Sequence, residues 1–538
     1  MKLNYRNTFY IGLVFFTISL FWQTYDMMIA RTLIDKYGLN QTWSGVVMAI
    51  DNVMAVILLP LFGSLSDRSN AKLGRRTPYI IVGTVLAAFA FMALAYSDYR
   101  QTLLISETDI VEYHYNAAFS ESVDASETSH WYIVIDHMTE ERTQSYNDGF
   151  ISYRKLMIWE DNIKDPIVSL LDANPISMNN RDLSIVKDLY YKYLSERAWE
   201  VTAANPTNLT IFISILFVAL VSMAIYRSPA VALMPDITLK PLRSKANSII
   251  ALMGAFGGIL AVYIIMISGL NKSAYDHHFA VYIIIGIIML LTLGLFLWKV
   301  REPKMVEERK QLEVSYGMIP GEIQQTMNNG VLPTFERRLS LYVLLLSVFL
   351  LFTGYNAVMS KLADYLPKVL NLNFFDYQFI IAQVVVIAVI LPVGILSMWL
   401  GRKRTVLLGM VLLASALASV VFLKENQAWL TAGMIALAGL GWTMISVNLY
   451  VMVVELSKGA DVGRYTGYYY SASMTAQIIT PILSGYLMDT LVYGRLVLFP
   501  YATLFVVLSL VAMLFVKHSE GKKFKSFKDV LRTEEENL

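Results

Sequence analysis

The sequence predicts an all-α membrane protein with twelve transmembrane helices in two parallel six-helix bundles and a large extracytoplasmic insertion between helices 3 and 4. The 538 residues are 56% hydrophobic and only 16% charged, whereas about a quarter of the residues of a soluble protein carry a charge. The apolar residues form runs long enough to cross about 30 Å of hydrocarbon. The charged residues fall mainly between those runs.

The apolar runs form two sets of six. The first set covers 8–29, 43–65, 78–97, 207–233, 246–269 and 277–299. The second set covers 339–360, 374–398, 403–423, 428–454, 466–490 and 493–516. We therefore divide the chain into helices 1–3 (1–97), the insertion (98–206), helices 4–6 (207–299), a cytoplasmic inter-bundle loop (300–338), the C-terminal bundle with helices 7–12 (339–516) and a cytoplasmic tail (517–538).

The connections between the runs indicate the orientation. Lys and Arg are concentrated in alternate connections, at 68–76, 240–245, 402–404 and 458–464, and in the tail. Connections rich in Lys and Arg stay in the cytoplasm, so both termini are predicted to be cytoplasmic. The first run has no small-residue cleavage site and is interpreted as a retained membrane helix.

The connection between the second and third runs carries a motif in addition to its positive charge. Its residues are Gly63, Asp67, Arg68, Gly74, Arg75 and Arg76, followed by Thr77-Pro78-Tyr79-Ile80. A loop that only anchored the topology would need the cations, but neither the glycines at both ends nor an Asp before the first Arg. The motif resembles the signature between helices 2 and 3 of the major facilitator superfamily. Its continuation is most similar to the sucrose-transporter-like, glycoside–pentoside–hexuronide:cation symporter branch.

The resemblance implies a secondary active transporter that moves a sugar or glycoside together with a cation by alternating access. It implies a substrate site between the bundles near mid-membrane, no cofactor, and H⁺ or alternatively Na⁺ as the coupling ion. The halves also echo each other, as parallel repeats of this superfamily should. The segment 74–77 recurs as 401–405, and Asp26 precedes Arg31 by five residues as Asn356 precedes Lys361.

Polar residues inside the first apolar runs are candidates for binding substrate and cation, because a charge in hydrocarbon costs about 3 kcal/mol or more. The candidates in the first two runs are Gln23, Tyr25, Asp26, Arg31, Asp51 and Asn52. Asp26 is the leading coupling residue, since a carboxylate among aromatic and amide groups suits both proton binding and sugar hydroxyls; a purely structural pair with Arg31 is the alternative. Asp51 is the second coupling candidate, against a polar packing contact.

Further candidates lie in run four and in the second set. Run four ends in a sequence similar to the Pro-x-Arg-Ala-Leu-x-x-Asp ending of the resembled branch, with Val231 at the Arg position and Arg227 one helical turn earlier. A shift of four residues keeps a side chain on the same helix face. Amides and aromatic faces suit sugar hydroxyls and ring C–H groups, and the candidates of this kind in the second set are Tyr355, Asn356, Gln383, Trp442, Asn448 and Gln477.

The motif residues are also predicted to form a cytoplasmic gate. Asp236 ends run four, near Arg75 and Arg76 if the fold is as expected, and would form an ion-pair latch with them. Glu455 with Arg402 and Arg404 would be the mirrored latch in the second half. The predicted gate therefore comprises Gly63, Asp67, Arg68, Gly74, Arg75, Arg76, Asp236, Arg402, Arg404 and Glu455.

The insertion at 98–206 is too polar to span a membrane, and the resemblance does not cover it. Apolar residues recur at helical spacing between 182 and 199. We expect a small folded cap that is dispensable for the transport chemistry; a dedicated binding or partner domain is the alternative.

Several classes of function are excluded or disfavoured. The absence of cysteine rules out disulfides and thiolate metal sites, and no motif of a metalloprotease, serine hydrolase or phosphate-binding loop indicates an enzyme. A net charge of +2 spread between apolar runs gives no reason to expect nucleic acid or a metal. The expected partners are a small-molecule substrate and the lipid bilayer, for a monomer in the plasma membrane. An exporter of lipophilic compounds or of another small organic solute, and a transporter-like receptor that uses 98–206, are the alternatives.

Overall fold

The structure is a computed structural model. It describes residues 4–106, 126–239, 243–268, 278–315, 334–372, 401–456 and 462–516, together with scattered positions between 384 and 400. All structural statements below concern these residues.

The first half of the molecule is built from six long helices. They are α1 (Tyr5–Asp35), α2 (Gln41–Asp67), α3 (Thr77–Ser106), α8 (Thr207–Ile237), α9 (Arg243–Ile267) and α10 (Phe279–Lys299). Local sequence sets where they begin: the side chain of Asn40 accepts a hydrogen bond from the Trp43 N–H at 2.8 Å and so caps the start of α2. α3 continues to Ser106, nine residues beyond its predicted end at 97. The positions 98–106, which we assigned to the insertion, therefore belong to this helix.

The second half contains α12 (Thr334–Val369), α13 (Arg402–Val420), α14 (Ala428–Glu455), α15 (Val462–Thr490) and α16 (Leu498–Phe515), which follows a short 3₁₀ turn at Gly494–Val497. Between the halves, the predicted loop 300–338 contains the helix α11 (Glu302–Ser315). Nine of the described helices are long and apolar enough to cross a membrane. Two more predicted runs coincide with α9 and α15, and the run 374–398 lies largely outside the described residues, so the number twelve stays a prediction.

The two halves repeat the same packing. In the first half α1 packs on α9 and α10 while α3 packs on α8 and α10; in the second, α12 packs on α15 and α16 while α13 packs on α14 and α16. Glycines allow equivalent close approaches. A Cβ on Gly83 of α3 would lie 2.8 Å from the Ser222 carbonyl oxygen of α8, and a Cβ on Gly409 of α13 would lie 2.7 Å from the Gly441 carbonyl oxygen of α14. Gly83 and Gly409 therefore mark one helix contact that is repeated in the two halves.

The segment 126–206, which we call the insertion, is helical and has its own core. It contains α4 (Thr128–Asn147), α5 (Tyr153–Trp159) with a π-helical turn at Glu160–Lys164, α6 (Asp165–Ala173) and α7 (Asn180–Ala204). Buried apolar side chains join these helices, among them Trp131, Ile163, Ile167, Leu171 and Tyr193. The insertion lies at one end of the bundle, and we call that end the insertion side and the end with residues 68–76 the basic-loop side.

The halves touch each other most closely along α2 and α15. A Cβ on Gly45 of α2 would lie 2.2 Å from the Pro481 carbonyl oxygen, and one on Gly485 of α15 would lie 2.3 Å from the Gln41 carbonyl oxygen. These contacts lie near the insertion side. Further along α2, towards the basic-loop side, Ile57 is 64% exposed and Leu61 is 47% exposed. The halves are thus in contact at the insertion side, and α2 is uncovered towards the basic-loop side.

Candidate functional site

A cavity of about 480 Å³ lies between the two halves. α1 and α9 line it from the first half, and α12, α13 and α14 line it from the second. Its polar side chains are Ser19, Gln23, Asp26 and Tyr355, and the remaining lining is apolar or glycine. On the first-half side of the cavity, α1 and α9 pack closely because α9 carries a glycine at the contact. A Cβ on Gly257 of α9 would lie 2.2 Å from the Phe16 carbonyl oxygen of α1. The predicted candidates Gln23, Asp26 and Tyr355 therefore face one enclosed space.

Asp26 lies in this cavity without a cation beside it. The described residues provide neither a hydrogen bond nor an ion pair to its carboxylate, and Arg31 lies instead with its Nε 3.5 Å from Asp35 Oδ2. The alternative of an Asp26–Arg31 pair is therefore wrong. Arg31 and Asp35 are four residues apart on one helix face, and this geometry favours the partner that the sequence-based hypothesis had not considered.

Aromatic rings border the polar part of the cavity. The rings of Tyr355 and Trp442 are stacked, with centroids 3.6 Å apart and planes 2° apart. Across the interface, Trp22 and Tyr25 of α1 form an edge-to-face pair with centroids 5.4 Å apart. Within the described part of the chain, the Tyr25 hydroxyl, Trp22 Nε1 and Asn356 Nδ2 are buried without a hydrogen-bond partner. Buried polar groups are normally paired, so these three groups are exceptions, and their residues do not line the cavity itself.

A second polar cluster lies on the α2 and α8 side of Asp26. Asp51 Oδ1 accepts hydrogen bonds from the backbone N–H and the side-chain Nδ2 of Asn52, both at 2.6 Å. The Arg227 guanidinium lies over the Trp22 ring, 5.7 Å from its centroid, and interacts electrostatically with Asp51. Asp51 in turn interacts with Asp26. One cation and two carboxylates of the first half thus interact with one another, and Asp26 alone of the three lines the cavity.

The other candidates of the second half are placed differently. Asn448 is buried, and its Nδ2 donates to the Met444 carbonyl oxygen of its own helix at 2.9 Å. Gln477 is half-buried and makes no hydrogen bond among the described residues. Gln383 lies outside the described residues. The structure therefore brings Tyr355 into the cavity, with Trp442 stacked on it, and ties Asn448 to its helix.

The predicted gate residues form a cluster at the basic-loop side. Arg76 donates from Nε to Asp236 Oδ2 at 2.8 Å and pairs through Nη2 with Asp67, while Arg75 Nη2 lies 3.5 Å from Asp236. Burial lowers the pKa of Arg76, but hydrogen bonds and charges from Asp236 and Asp67 outweigh it and raise that pKa. Glu302, which the sequence analysis missed, accepts from the backbone N–H groups of Arg75, Arg76 and Thr77 at 2.8–3.1 Å.

We call Asp67, Arg75, Arg76, Asp236 and Glu302 the basic-loop cluster. Gly74, with φ at +111°, leads into it, and a Cβ there would strike the Glu302 side chain. Four of these residues belong to the first half, and Glu302 is the first residue of α11. The expected latch is thus corrected in one respect: these ion pairs hold the loop to α2 and α8 and do not join the halves.

The remaining gate candidates make fewer defined contacts. A Cβ on Gly63 would lie 2.8 Å from Ser228 Oγ, and Arg68 is exposed. In the second half Arg402 is half-buried and Arg404 is exposed, and the side chain of Glu455 lies outside the described residues. Lys403, which lies between the two arginines, is held to α16: its Nζ donates hydrogen bonds to the carbonyl oxygens of Leu514 and Val516 at 3.0 and 2.7 Å.

A network of buried ion pairs that could not be read from the sequence lies at the insertion side, and its Asp35–Lys368 pair joins the halves. Lys368 of α12 pairs with Asp35 of α1 and, at 2.6 Å, with Asp364. Asp364 accepts from Arg495 Nε at 2.7 Å and from Gln41 Nε2 of α2 at 2.9 Å. We call Asp35, Gln41, Asp364, Lys368 and Arg495 the insertion-side lock.

Backbone contacts reinforce the lock. Asp489 of α15 accepts from the first free N–H groups of α2, Gln41 at 3.1 Å and Thr42 at 2.8 Å, where an anion is favoured by the helix dipole. Lys361 Nζ donates to the Gln41 carbonyl oxygen at 3.1 Å. The only sequence signal for these residues is that acids and bases end the apolar runs, and such positions usually face water.

Comparison with known proteins identifies the family of this chain and the fold that it resembles. A sequence model described as MFS_1 like family matches residues 30–398, and one described as Major Facilitator Superfamily matches residues 344–534. The General alpha-glucoside permease of Schizosaccharomyces pombe is 27% identical over 60 residues. That match spans 11% of this chain and 11% of the permease.

Solved structures resemble the chain over nearly its whole length. The inward open conformation of the xylose transporter XylE from E. coli aligns with a TM-score of 0.53 at 16% identity, over 98% of this chain and 99% of that one. A D-xylose-proton symporter aligns with a TM-score of 0.53 at 14% identity, over 96% and 100%. A mutant of the nucleoside transporter NupG aligns with a TM-score of 0.55 at 11% identity, over 95% and 100%. At these identities the likeness concerns the fold alone.

Proposed function

The chain belongs to the MFS_1 like family of the Major Facilitator Superfamily, and from this premise we propose that it is a secondary active transporter that carries a sugar or glycoside together with a proton. The observation that carries the proposal is the cavity between the halves, where Gln23, Asp26 and Tyr355 meet. The short match to an α-glucoside permease supports the same substrate class. As a superfamily transporter the chain is an integral membrane protein and not an enzyme.

The chemistry of the interface suits a sugar. A pyranose presents hydroxyls around its rim and an apolar C–H face, so it needs both hydrogen-bonding groups and flat aromatic surfaces. The carboxylate of Asp26, the amide of Gln23 and the hydroxyl of Ser19 offer the first. The stacked Tyr355 and Trp442 rings offer the second. The cavity volume lies within the range of about 300–1,000 Å³ usual for small-molecule sites.

Coupling is assigned to Asp26, with Asp51 in reserve. Asp26 is the carboxylate in the cavity that no described cation neutralises, and it faces the second carboxylate of Asp51. Protonation of Asp26 would remove that repulsion between two elements of the first half. Arg31 takes no part in this step, because it is bound to Asp35. Na⁺ is the alternative coupling ion.

The transport cycle would alternate between the two sides of the membrane. We place the insertion side outside the cell and the basic-loop side in the cytoplasm, because Lys and Arg concentrate at the latter. The contacts along α2 and α15 then make this an inward-facing state. We assign the transporter to the plasma membrane, with both termini in the cytoplasm and with the monomer as the working unit.

Uptake by proteoliposomes tests the proposal. Purified protein is offered a panel of neutral sugars and glycosides with an imposed pH or Na⁺ gradient. We expect uphill accumulation of at least one sugar with an inward proton gradient. Asp26→Asn should lose that accumulation and keep exchange of sugar across the membrane, because the hydroxyl-binding groups remain.

The matched variants separate the assignments. Asp51→Asn should have the smaller effect, and Asp136→Asn, on an exposed surface of the insertion, should have none. Accumulation by Asp26→Asn but not by Asp51→Asn would move the coupling site to α2. Absence of gradient-driven uptake of every sugar in the panel would refute the proposed function.

One observation favours a second candidate, an exporter of lipophilic compounds. Apart from its four polar side chains the cavity is lined by residues such as Phe15, Met27, Leu413 and Met434. An exporter would take up lipophilic cations or dyes into inside-out vesicles and would ignore sugars. Competition between a sugar and such a dye would show which of the two the cavity prefers.

A further inference from the structure

We propose that α7, the last helix of the insertion, is a clamp that travels with the first half and must release the second half each time the insertion side opens. This proposal rests on the proposed alternating access. It gives the insertion a role in setting the transport rate, in place of the expected dispensable cap.

The attachment of α7 to the first half is close-packed and uncharged. A Cβ on Gly38, whose φ is +69°, would lie 2.1 Å from the Trp199 backbone nitrogen and 2.3 Å from the Ser195 carbonyl oxygen. Gln101 of α3 donates from Nε2 to Thr202 Oγ1 at 3.1 Å and to the Lys36 carbonyl oxygen at 2.9 Å. Backbone packed this tightly cannot separate by a side-chain rotation, so α7 and the first half move as one body.

The attachment of α7 to the second half includes several charges, beside an apolar contact of Leu496 with the insertion's core. Asp188 pairs with Arg495, and Lys187 Nζ donates to Glu425 Oε2 at 2.9 Å. The Tyr191 ring lies beneath two cations of the second half, 5.1 Å from Lys368 Nζ and 5.8 Å from the Arg495 guanidinium. The charged contacts break by separation of side chains, and Leu496 must leave the insertion's core with them.

The clamp and the insertion-side lock share Arg495. This side chain is 5% exposed and is held at once by Asp188 of the insertion and Asp364 of α12. Gly494 permits the approach, since a Cβ there would lie 1.8 Å from Asp188 Oδ2. When the first half swings away, Asp188 leaves with α7, and Arg495 keeps Asp364. Each opening therefore exposes three ion pairs to water: Asp188–Arg495, Lys187–Glu425 and Asp35–Lys368.

Accessibility of a reporter cysteine tests the clamp without any substrate. The natural chain has no cysteine, so Ser44→Cys, at a position that is 0% exposed on α2, introduces a single thiol at the closed end. A membrane-impermeant maleimide applied from the insertion side then measures opening. Asp188→Asn and Lys187→Glu should each raise the labelling rate roughly tenfold, a coupling within the usual range of about 5- to 150-fold.

Charge reversal keeps the test decisive if a single variant folds poorly. Lys187→Glu combined with Glu425→Lys restores the pair in the opposite sense and should return labelling to the slow rate, while Asp136→Asn leaves it unchanged throughout. Unaltered labelling in both single variants, or no recovery in the reversed pair, would overturn the clamp. The assay contains neither sugar nor gradient, so a failure of the proposed transport function would appear only in the uptake experiments.

Discussion

The two ends of the molecule place their buried charges in different relations to the two halves. At the insertion side, Asp35 of the first half and Lys368 of the second are paired while both are less than 6% exposed. At the basic-loop side, Arg76 is equally buried, but its partners Asp67 and Asp236 lie in the same half. Charges of the first kind oppose the separation of the halves, whereas charges of the second kind fix the shape of one half and travel with it.

The comparison shows how alternating access can be distributed over one chain. Separation at the insertion side must break ion pairs and hydrate them, while the basic-loop cluster can stay intact in either state. Mutations at the two ends should therefore differ in kind: the first set should change the populations of the two states, and the second should change the stability of the first half.

The largest expected effect is at the centre of the insertion-side lock. Asp35→Asn removes the carboxylate of the first half that pairs with Lys368 of the second, and breaking a buried pair in this way costs about 3–5 kcal/mol. The insertion side should open. Spin labels at Asn205→Cys and Val492→Cys, both exposed positions, should report a longer distance. Asp161→Asn, exposed on the insertion, should leave the distance unchanged; a distance unchanged in Asp35→Asn would show that the lock does not hold the halves.

A steric change should separate the halves without touching a charge. Gly45→Ala places a methyl group 2.2 Å from the Pro481 carbonyl oxygen, and overpacking of this kind costs about 1–3 kcal/mol. The same pair of spin labels should show a partial shift to the longer distance. Gly433→Ala is the matched control, because nothing lies within 4 Å of a Cβ at that position. Equal distances in the two variants would mean that α2 and α15 are not limiting.

At the basic-loop side, Glu302→Gln should destabilise the first half. Its carboxylate accepts hydrogen bonds from the free N–H groups at the start of α3. Loss of such a cap lowers the free energy of unfolding by about 0.5–2 kcal/mol. We expect a lower thermal transition in detergent and faster hydrogen exchange at 75–80. The insertion-side distance should remain that of the natural chain; a change there would contradict the separation of the two ends.

The smallest effect is expected for Arg75→Ala. Arg75 is 45% exposed and lies 3.5 Å from Asp236, and exposed ion pairs contribute about 0–1 kcal/mol. Arg76→Ala, which removes a buried cation bound to two carboxylates, should lower the thermal transition further than Arg75→Ala does. A reversed order would show that Arg75 acts between the halves, in a state other than this one, and would restore the latch in its original form.

Much of the architecture could be predicted because it depends on residues that are close together in the sequence. Apolar runs give the helices, and the motif at 63–76 indicated the superfamily to which the chain belongs. The branch, the sugar and the coupling ion stay proposals. Gln23, Asp26 and Tyr355 were chosen because polar groups are rare inside such runs, and the structure places all three in one cavity.

The partners of the charges could not be predicted from spacing. Arg31 was considered with Asp26, five residues away, but it pairs with Asp35, because four residues bring side chains together on a helix and five do not. Glu302 lies more than 220 residues after Arg75 and Thr77, whose backbone N–H groups donate hydrogen bonds to it. Nothing near Glu302 in the sequence distinguishes it from any other acid in a polar loop.

The sequence by itself determined the helices, the repeat of the two halves and the polar residues available for transport, since hydropathy and helix period act over a few neighbouring residues. Only the tertiary structure decided which charges join the halves. Asp35 and Lys368 are 333 positions apart, and Asp188 of the insertion meets Arg495 across 307 positions. Such pairs depend on how two packed bundles meet, and the sum of many helix contacts sets that arrangement.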